Sequence, residues 1–136
     1  MDLGITSFAQ ASQKDHPSSK IYELAQGDIK KIVLMTVVRA AESGDVFAGK
    51  ILKEAGSRLG RKAAFLANLF NPEILIVGGG IEACGALFMD ALRDVVKHSS
   101  VPEATEKLRI IPSQLGENGV PLGAAALVAQ NYFVSV

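Results

Sequence analysis

One cysteine, two histidines and no long apolar run: each shortage in this 136-residue chain removes a class of protein. Cys84 alone cannot form an internal disulfide, and with only His16 and His98 beside it no zinc-ligand spacing exists. The longest apolar stretches, Ile32 to Val38 and Val120 to Ala129, fall well short of the roughly 20 residues of a membrane span. No charged-then-apolar signal segment opens the chain, so a soluble, cytoplasmic protein is expected. Charge of either sign is not in excess: 14 basic side chains balance 14 acidic ones. No global field therefore recommends nucleic acid or an acidic membrane as partner. The length suits a single domain and is short for a complete two-lobed enzyme.

Helical patterns fill most of what is there. Residues 1–19, with the polar "QASQKDHPSS", read as a connector or frayed arm. Ser18 or Ser19 then caps a short helix through Gln26, which Gly27 stops. Asp28 is placed to cap a second helix, with Ile29, Ile32, Val33, Val37 and Ala40 at helical spacing. "SGD" at Ser43 to Asp45 ends it and caps the longest helix, from Val46 to about Phe70, predicted to bury Phe47, Ile51, Ala55, Leu59, Ala63, Leu66 and Phe70. Gly56 and Gly60 lie one turn apart inside it. Each costs about 1 kcal/mol against alanine, so a close helix contact is expected to offset them.

Asn71 and Pro72 break the helix, and "EILIV" (Glu73 to Val77) has the composition of a fully buried strand. Leu87, Phe88, Ala91, Leu92, Val95 and Val96 mark the inner face of the following helix, and Asp90, Arg93, Asp94 and Lys97 the outer one. "LRIIP" (Leu108 to Pro112) reads as a second strand, parallel to the first. The last helix, from Asn118 towards Tyr132, has Pro121 in its first turn and is apolar on nearly every face, which predicts burial on more than one side. Two strands make too small a sheet to stand alone, so the chain reads as part of a larger α/β fold.

Between strand and helix stand Gly78, Gly79 and Gly80. In open α/β sheets ligands sit at the carboxyl ends of strands. Glycines there permit positive φ and close approach, and a helix start offers unpaired N–H groups. A tight turn that binds nothing is the alternative. A Walker A loop is excluded, because Ala86 and Leu87 follow Gly85 where Lys and Ser or Thr are required. Gly78, Gly80 and Ala83 match the dinucleotide pattern G-x-G-x-x-A, but no acidic residue ends the next strand to hold a ribose, and the further strands of that fold do not follow. Of the remaining groups near the turn, Cys84 reads as a small packing residue and His98 as a complement to a helix dipole. Glu82 is within reach of a ribose hydroxyl or is a solvated loop carboxylate. Arg58, Arg61 and Lys62 read as a solvated basic face.

The whole context, "AAESGDVFAGKILKEAGSRLGRKAAFLANL", then "LFNPEILIVGGGIEACGALFMDALRD", then "SQLGENGVPLGAAALV", resembles the carboxyl-terminal part of the ROK family of bacterial sugar kinases and sugar-responsive repressors, from about Asp28 to Val128. The resemblance implies a helix-rich partial lobe, over residues 20–136, of the actin-like ATPase (ribonuclease H-like) fold. It implies that Gly78, Gly79 and Gly80 form the adenosine motif beside the adenine and ribose of ATP. It also implies that Gly123, with Ala124 and Ala125, lets the last helix pass close to the interlobe hinge. Mg would be held mainly by residues outside this chain. The family's D-x-G-T phosphate turn, its Asn-Asp catalytic pair, its cysteine-rich zinc motif and its sugar-binding Glu and His have no recognisable counterpart. "MDLGIT", with Asp2, Gly4 and Thr6, matches the phosphate turn only fortuitously. Two functions stay open: part of an ATP-dependent hexose kinase, inactive as this chain alone, or the effector and oligomerisation domain of a sugar-responsive repressor that meets DNA through a separate domain. Both imply an amino-terminal lobe as partner and a homo-oligomer. Were this chain to turn over, Asp2, Asp28 and Asp45 would be the first carboxylates to test as the base.

Overall fold

The computed structural model describes residues 4–12 and 14–133, so Asp2 of the "MDLGIT" match lies outside the described residues. Where the sequence suggests a loose arm, the chain forms helix α1 (Ile5–Ala11). Ile5 and Ala9, one turn apart, are both buried in the core. The polar residues around them occupy the outer face, which hides the helix from a composition-based reading. The buried Tyr22 hydroxyl donates to the Ala9 carbonyl at 2.9 Å, tying α1 to α2 (Lys20–Leu24).

Ser19 caps α2, accepting from the Ile21 N–H, and its hydroxyl donates to Asp45 Oδ2 at 2.9 Å. Asp45 also accepts the Lys20 N–H at 2.6 Å and, through Oδ1, the Ala48 N–H at 2.7 Å. One carboxylate thus satisfies donors at the starts of both α2 and the long helix α4 (Val46–Phe70). Asp28 caps less than its spacing predicts. It accepts from the Lys30 N–H at the head of a single 3₁₀ turn, Ile29–Lys31. The chain then extends through Ile32 and Val33 before α3 (Leu34–Glu42) begins. The break has a packing cause: as an extended residue Ile32 enters the core almost completely, and its carbonyl accepts from Gln10 Nε2.

Helix α4 packs against α3 and, most extensively, against α5 (Gly85–Ser99). Gly56 and Gly60 are the reason α5 comes so close. A Cβ on Gly60 would lie 2.9 Å from both the Leu92 carbonyl oxygen and Val95 Cβ, and one on Gly56 would meet the Phe88 carbonyl. The face of α4 turned inward is therefore its small-residue face, Ala48, Ala55, Ala63, Ala64 and Ala67 with Ile51 and Leu52. Leu66 and Phe70, expected inside, are exposed. Of the predicted inner face of α5, Phe88, Leu92 and Val96 are buried together with Met89.

Strands β1 (Ile74–Val77) and β2 (Arg109–Pro112) form a parallel pair, Leu75 opposite Ile110 and Val77 opposite Pro112, joined through α5 and the short α6 (Pro102–Thr105). β1 is not the fully buried strand its composition suggests: Val77 is buried, but Ile74 and Ile76 point outward from the sheet face that no described element covers. The same holds for α7 (Gly119–Phe133). From Val120 to Gln130 every residue is exposed, against the expectation of burial on several sides. Apolar composition alone does not decide burial at either place, because no described element packs over these residues. No helix among the described residues is long and apolar enough to cross a membrane.

Candidate functional site: the glycine turn after β1

Val77 ends β1 by accepting the Ser113 N–H at 2.7 Å, which brings the segment after β2 against Gly78. A Cβ on Gly78 would stand 3.0 Å from Ser113 Cβ, so the first glycine serves the packing of the two strand ends. The next two differ in kind. Gly79 and Gly80 have φ of 84° and 89°, consecutive left-handed residues that reverse the chain without a steric penalty. Nothing lies within 4 Å of a Cβ added to Gly79. Its glycine answers to backbone conformation, and the space beside it is open.

Gly80 starts a 3₁₀ turn, Ile81–Cys84, held down by the burial of Ile81 and Cys84 and packed against α3 and α5. Cys84 is enclosed in the core, in keeping with a packing role. No side chain caps the start of α5, which follows directly. The result is a rigidly anchored turn whose outer side presents backbone at the carboxyl end of a strand and at the positive end of a helix, a geometry suited to polar or anionic groups. Glu82 is not the solvated loop carboxylate of the alternative reading: both its oxygens are shielded from solvent and neither has a hydrogen-bond partner. Such a carboxylate is costly unless donors reach it.

Gly78, Gly79, Gly80 and Glu82 therefore belong to one turn. Gly123 does not join them by any extensive contact. It lies on α7, whose main packing is with the preceding 3₁₀ turn, Gly116–Asn118, and a Cβ there would meet nothing within 4 Å. The close approach expected at Gly123 is not made to any described residue. Outside the turn, Arg58 pairs with Glu54 on an exposed face of α4 at 3.1 Å, as a solvated basic cluster would. His98 Nδ1 lies 2.8 Å from the Asp94 carbonyl in the last turn of α5. Composition gave no sign of the Asp45 junction between α2 and α4; only the cap position of Asp45 was readable.

The helix-rich chain, with its small parallel sheet and glycine turn between strand and helix, matches one portion of an actin-like ATPase lobe in a solved structure. The chain belongs to the ROK family, whose model matches residues 6–131. It is 33% identical over 126 residues to a glucokinase of Thermotoga maritima, covering 93% of this chain and 39% of that protein. It is also 31% identical over 101 residues to a xylose repressor of Caldicellulosiruptor bescii, covering 74% of this chain and 25% of that one. The crystal structure of a ROK family glucokinase from Streptomyces griseus, in complex with glucose and AMPPNP, superposes with a TM-score of 0.82 at 27% identity. That match covers 93% of this chain and 42% of the glucokinase. The chain thus spans well under half the length of these relatives.

Proposed function

We propose that this chain forms the adenosine side of the nucleotide site of a ROK sugar kinase, one that phosphorylates a hexose with ATP once the remainder of the fold supplies the catalytic carboxylate, the phosphate donors and the Mg ligands. The observation that carries this reading is the pair Gly79 and Gly80, left-handed in succession, with open space beside Gly79 at the carboxyl end of β1. A side chain there would stand where an adenosine lies on the backbone. Glu82, two residues beyond Gly80, carries two acceptor oxygens that would meet the hydroxyl pair of a ribose only once the turn moved to expose them. That the superposable Streptomyces griseus glucokinase was crystallised with AMPPNP supports the same reading.

A second reading, the effector and oligomerisation domain of a sugar-responsive repressor, draws on the similarity to the xylose repressor. It makes no demand on the open space beside Gly79. In either case the partners are an amino-terminal lobe of the same family and further copies of the protein, in the cytoplasm.

Calorimetric titration of AMPPNP into this chain joined to the remainder of a ROK kinase separates the two. Gly79→Asn keeps a residue that tolerates left-handed φ yet adds a side chain, so a weakening of about tenfold or more, roughly 1.4 kcal/mol, is expected. Unchanged affinity in the folded variant would remove the adenosine assignment and leave the repressor reading in place.

A further inference from the structure

The chain is neutral as a whole, but its charge is not evenly spread. Helix α4 carries Lys50, Lys53, Arg58, Arg61 and Lys62 against the single acid Glu54, so five of the 14 cations and one of the 14 anions fall on this one element. All six side chains are exposed, outside the small-residue face that α4 turns to the core. Arg58 takes up Glu54 at 3.1 Å. Among the described residues no ion pair reaches Lys50, Lys53, Arg61 or Lys62. Four cations thus stand without a counter-charge along about three turns of helix.

The neighbouring elements do not supply one. Lys50 and Lys53 edge a hollow of about 540 Å³ that reaches Leu87 of α5, and Arg58, Arg61 and Lys62 edge another of about 330 Å³. Among the described residues Glu54 is the only acid lining either. Helix α1, which packs against α4, contains no charged residue. On α5, Asp90 is engaged with Arg93 and Asp94 with His98. A neutral or apolar body laid over this face would take the cations out of water unpaired, which is costly. Unlike the apolar α7, the face suits solvent or an anion.

We propose that the outer face of α4 binds the phosphate backbone of a nucleic-acid duplex. From Lys50 to Lys62 the helix rises about 18 Å, at about 1.5 Å per residue. One strand of a duplex presents a phosphate about every 3.4 Å along the axis, so about five phosphates span the same length. Five cations face them. Phosphates carry no base identity, so this contact holds a duplex without reading its sequence and weakens steeply with salt. An acidic protein surface mixes charges of both signs and has no such repeat, which favours the nucleic acid. The inference uses neither the adenosine assignment nor a separate DNA-binding domain.

Fluorescence anisotropy of a labelled duplex of about 20 base pairs, titrated with the 136-residue chain over a series of salt concentrations, tests it. Neutralising about four phosphates should give a slope of about −3.6 in log K against log[salt]. Lys53→Glu combined with Arg61→Glu should weaken binding at least about tenfold at low salt and make the slope shallower by about two. Both side chains are exposed, so the melting temperature should hold. The milder pair Lys53→Gln and Arg61→Gln should fall between, and it replaces the reversed pair if that one fails to fold. Lys97→Glu with Arg109→Glu, which line a separate hollow between α5 and β2, should leave affinity within about twofold. Absence of salt-dependent binding at about 50 mM salt, or an equal loss in both sets of variants, overturns the proposal. So does displacement of the duplex by polyglutamate at equal charge concentration, which would make an acidic protein surface the better fit. Tighter binding to vesicles of anionic phospholipid than to the duplex overturns it as well, in favour of a membrane.

Discussion

Gly56 on α4 faces the backbone carbonyl of Phe88 on α5 so closely that an added Cβ would run into the oxygen and lie 3.1 Å from the carbonyl carbon. The obstacle is the main chain of a helix, which cannot rotate aside as a side chain can. Separation of the two helices would be needed, and with it loss of the contacts of Phe88, Leu92 and Val96.

Gly56→Ala should therefore destabilise the chain although alanine is the better helix former. The propensity gain is about 1 kcal/mol, and overpacking against a fixed backbone costs about 1–3 kcal/mol or more. Net destabilisation, read as a lower urea midpoint, is expected, whereas Gly49→Ala, whose Cβ meets only Leu87 Cδ1 at 3.7 Å, should be neutral or stabilising. Equal midpoints for the two variants would show that α4 and α5 are not in this contact.

That contact was legible in the sequence, as two glycines one turn apart in an otherwise strong helix pattern. So were the caps at Ser19 and Asp45, because a cap is a local matter of a side chain and the amides two or three residues on. Burial was less legible. Leu66, Phe70, Ile74, Ile76 and the whole of α7 have core composition and yet are exposed, since burial depends on what arrives from elsewhere in the fold. The helix at Ile5–Ala11 was missed for the opposite reason: its inner face is only Ile5 and Ala9, too short a pattern to rise above the polar residues around it. In the site, the glycines announced the turn, but the sequence does not separate Gly78, which packs on Ser113, from Gly79, which faces open space.

The attachment of α1 gives the second prediction. The Tyr22 hydroxyl is buried, and its pKa is raised, first by burial and then by the charges of Asp45 and Asp15. It stays protonated and a donor throughout the ordinary pH range. Tyr22→Phe removes the bond to the Ala9 carbonyl, a loss of about 1–2 kcal/mol. Amides of α1 should exchange faster in this variant than those of α4. A uniform change across the chain would mean that α1 is not a separately attached element.

Acid stability should report on Asp45. Burial raises its pKa, but the N–H groups of Ala48, Lys20 and Phe47 and the Ser19 hydroxyl outweigh burial, and the net value falls below the ordinary 3.8. A carboxyl whose pKa is depressed on folding contributes stability that is fully present above its unfolded value and is lost as pH falls through the folded one. The chain should accordingly lose stability below about pH 4, and Asp45→Asn should flatten that part of the profile. At neutral pH the variant should lose about 1 kcal/mol, the ordinary worth of a helix cap. An unaltered acid limb would assign the loss to other carboxylates.

The disposition of the candidate bases bears on turnover. Asp45 accepts hydrogen bonds from Ser19, Lys20 and Ala48, and protonating it would weaken the caps of two helix starts. Asp28 is occupied with the Lys30 N–H at a 3₁₀ turn. A general base must lie within hydrogen-bond reach of the sugar hydroxyl, and both carboxylates are instead engaged with backbone N–H groups at the starts of helical turns. Phosphoryl transfer further needs donors and Mg around the γ-phosphate, which the proposal places outside this chain. A coupled assay for ADP release with glucose, mannose, N-acetylmannosamine or fructose should thus show no sugar-dependent turnover by the purified 136-residue chain, and Asp45→Asn or Asp28→Asn should change stability alone. A chimera joining this chain to the remainder of the Thermotoga maritima glucokinase should turn over. Robust activity of the chain by itself, abolished by either substitution at unchanged stability, would falsify the assignment of the catalytic groups to the rest of the fold.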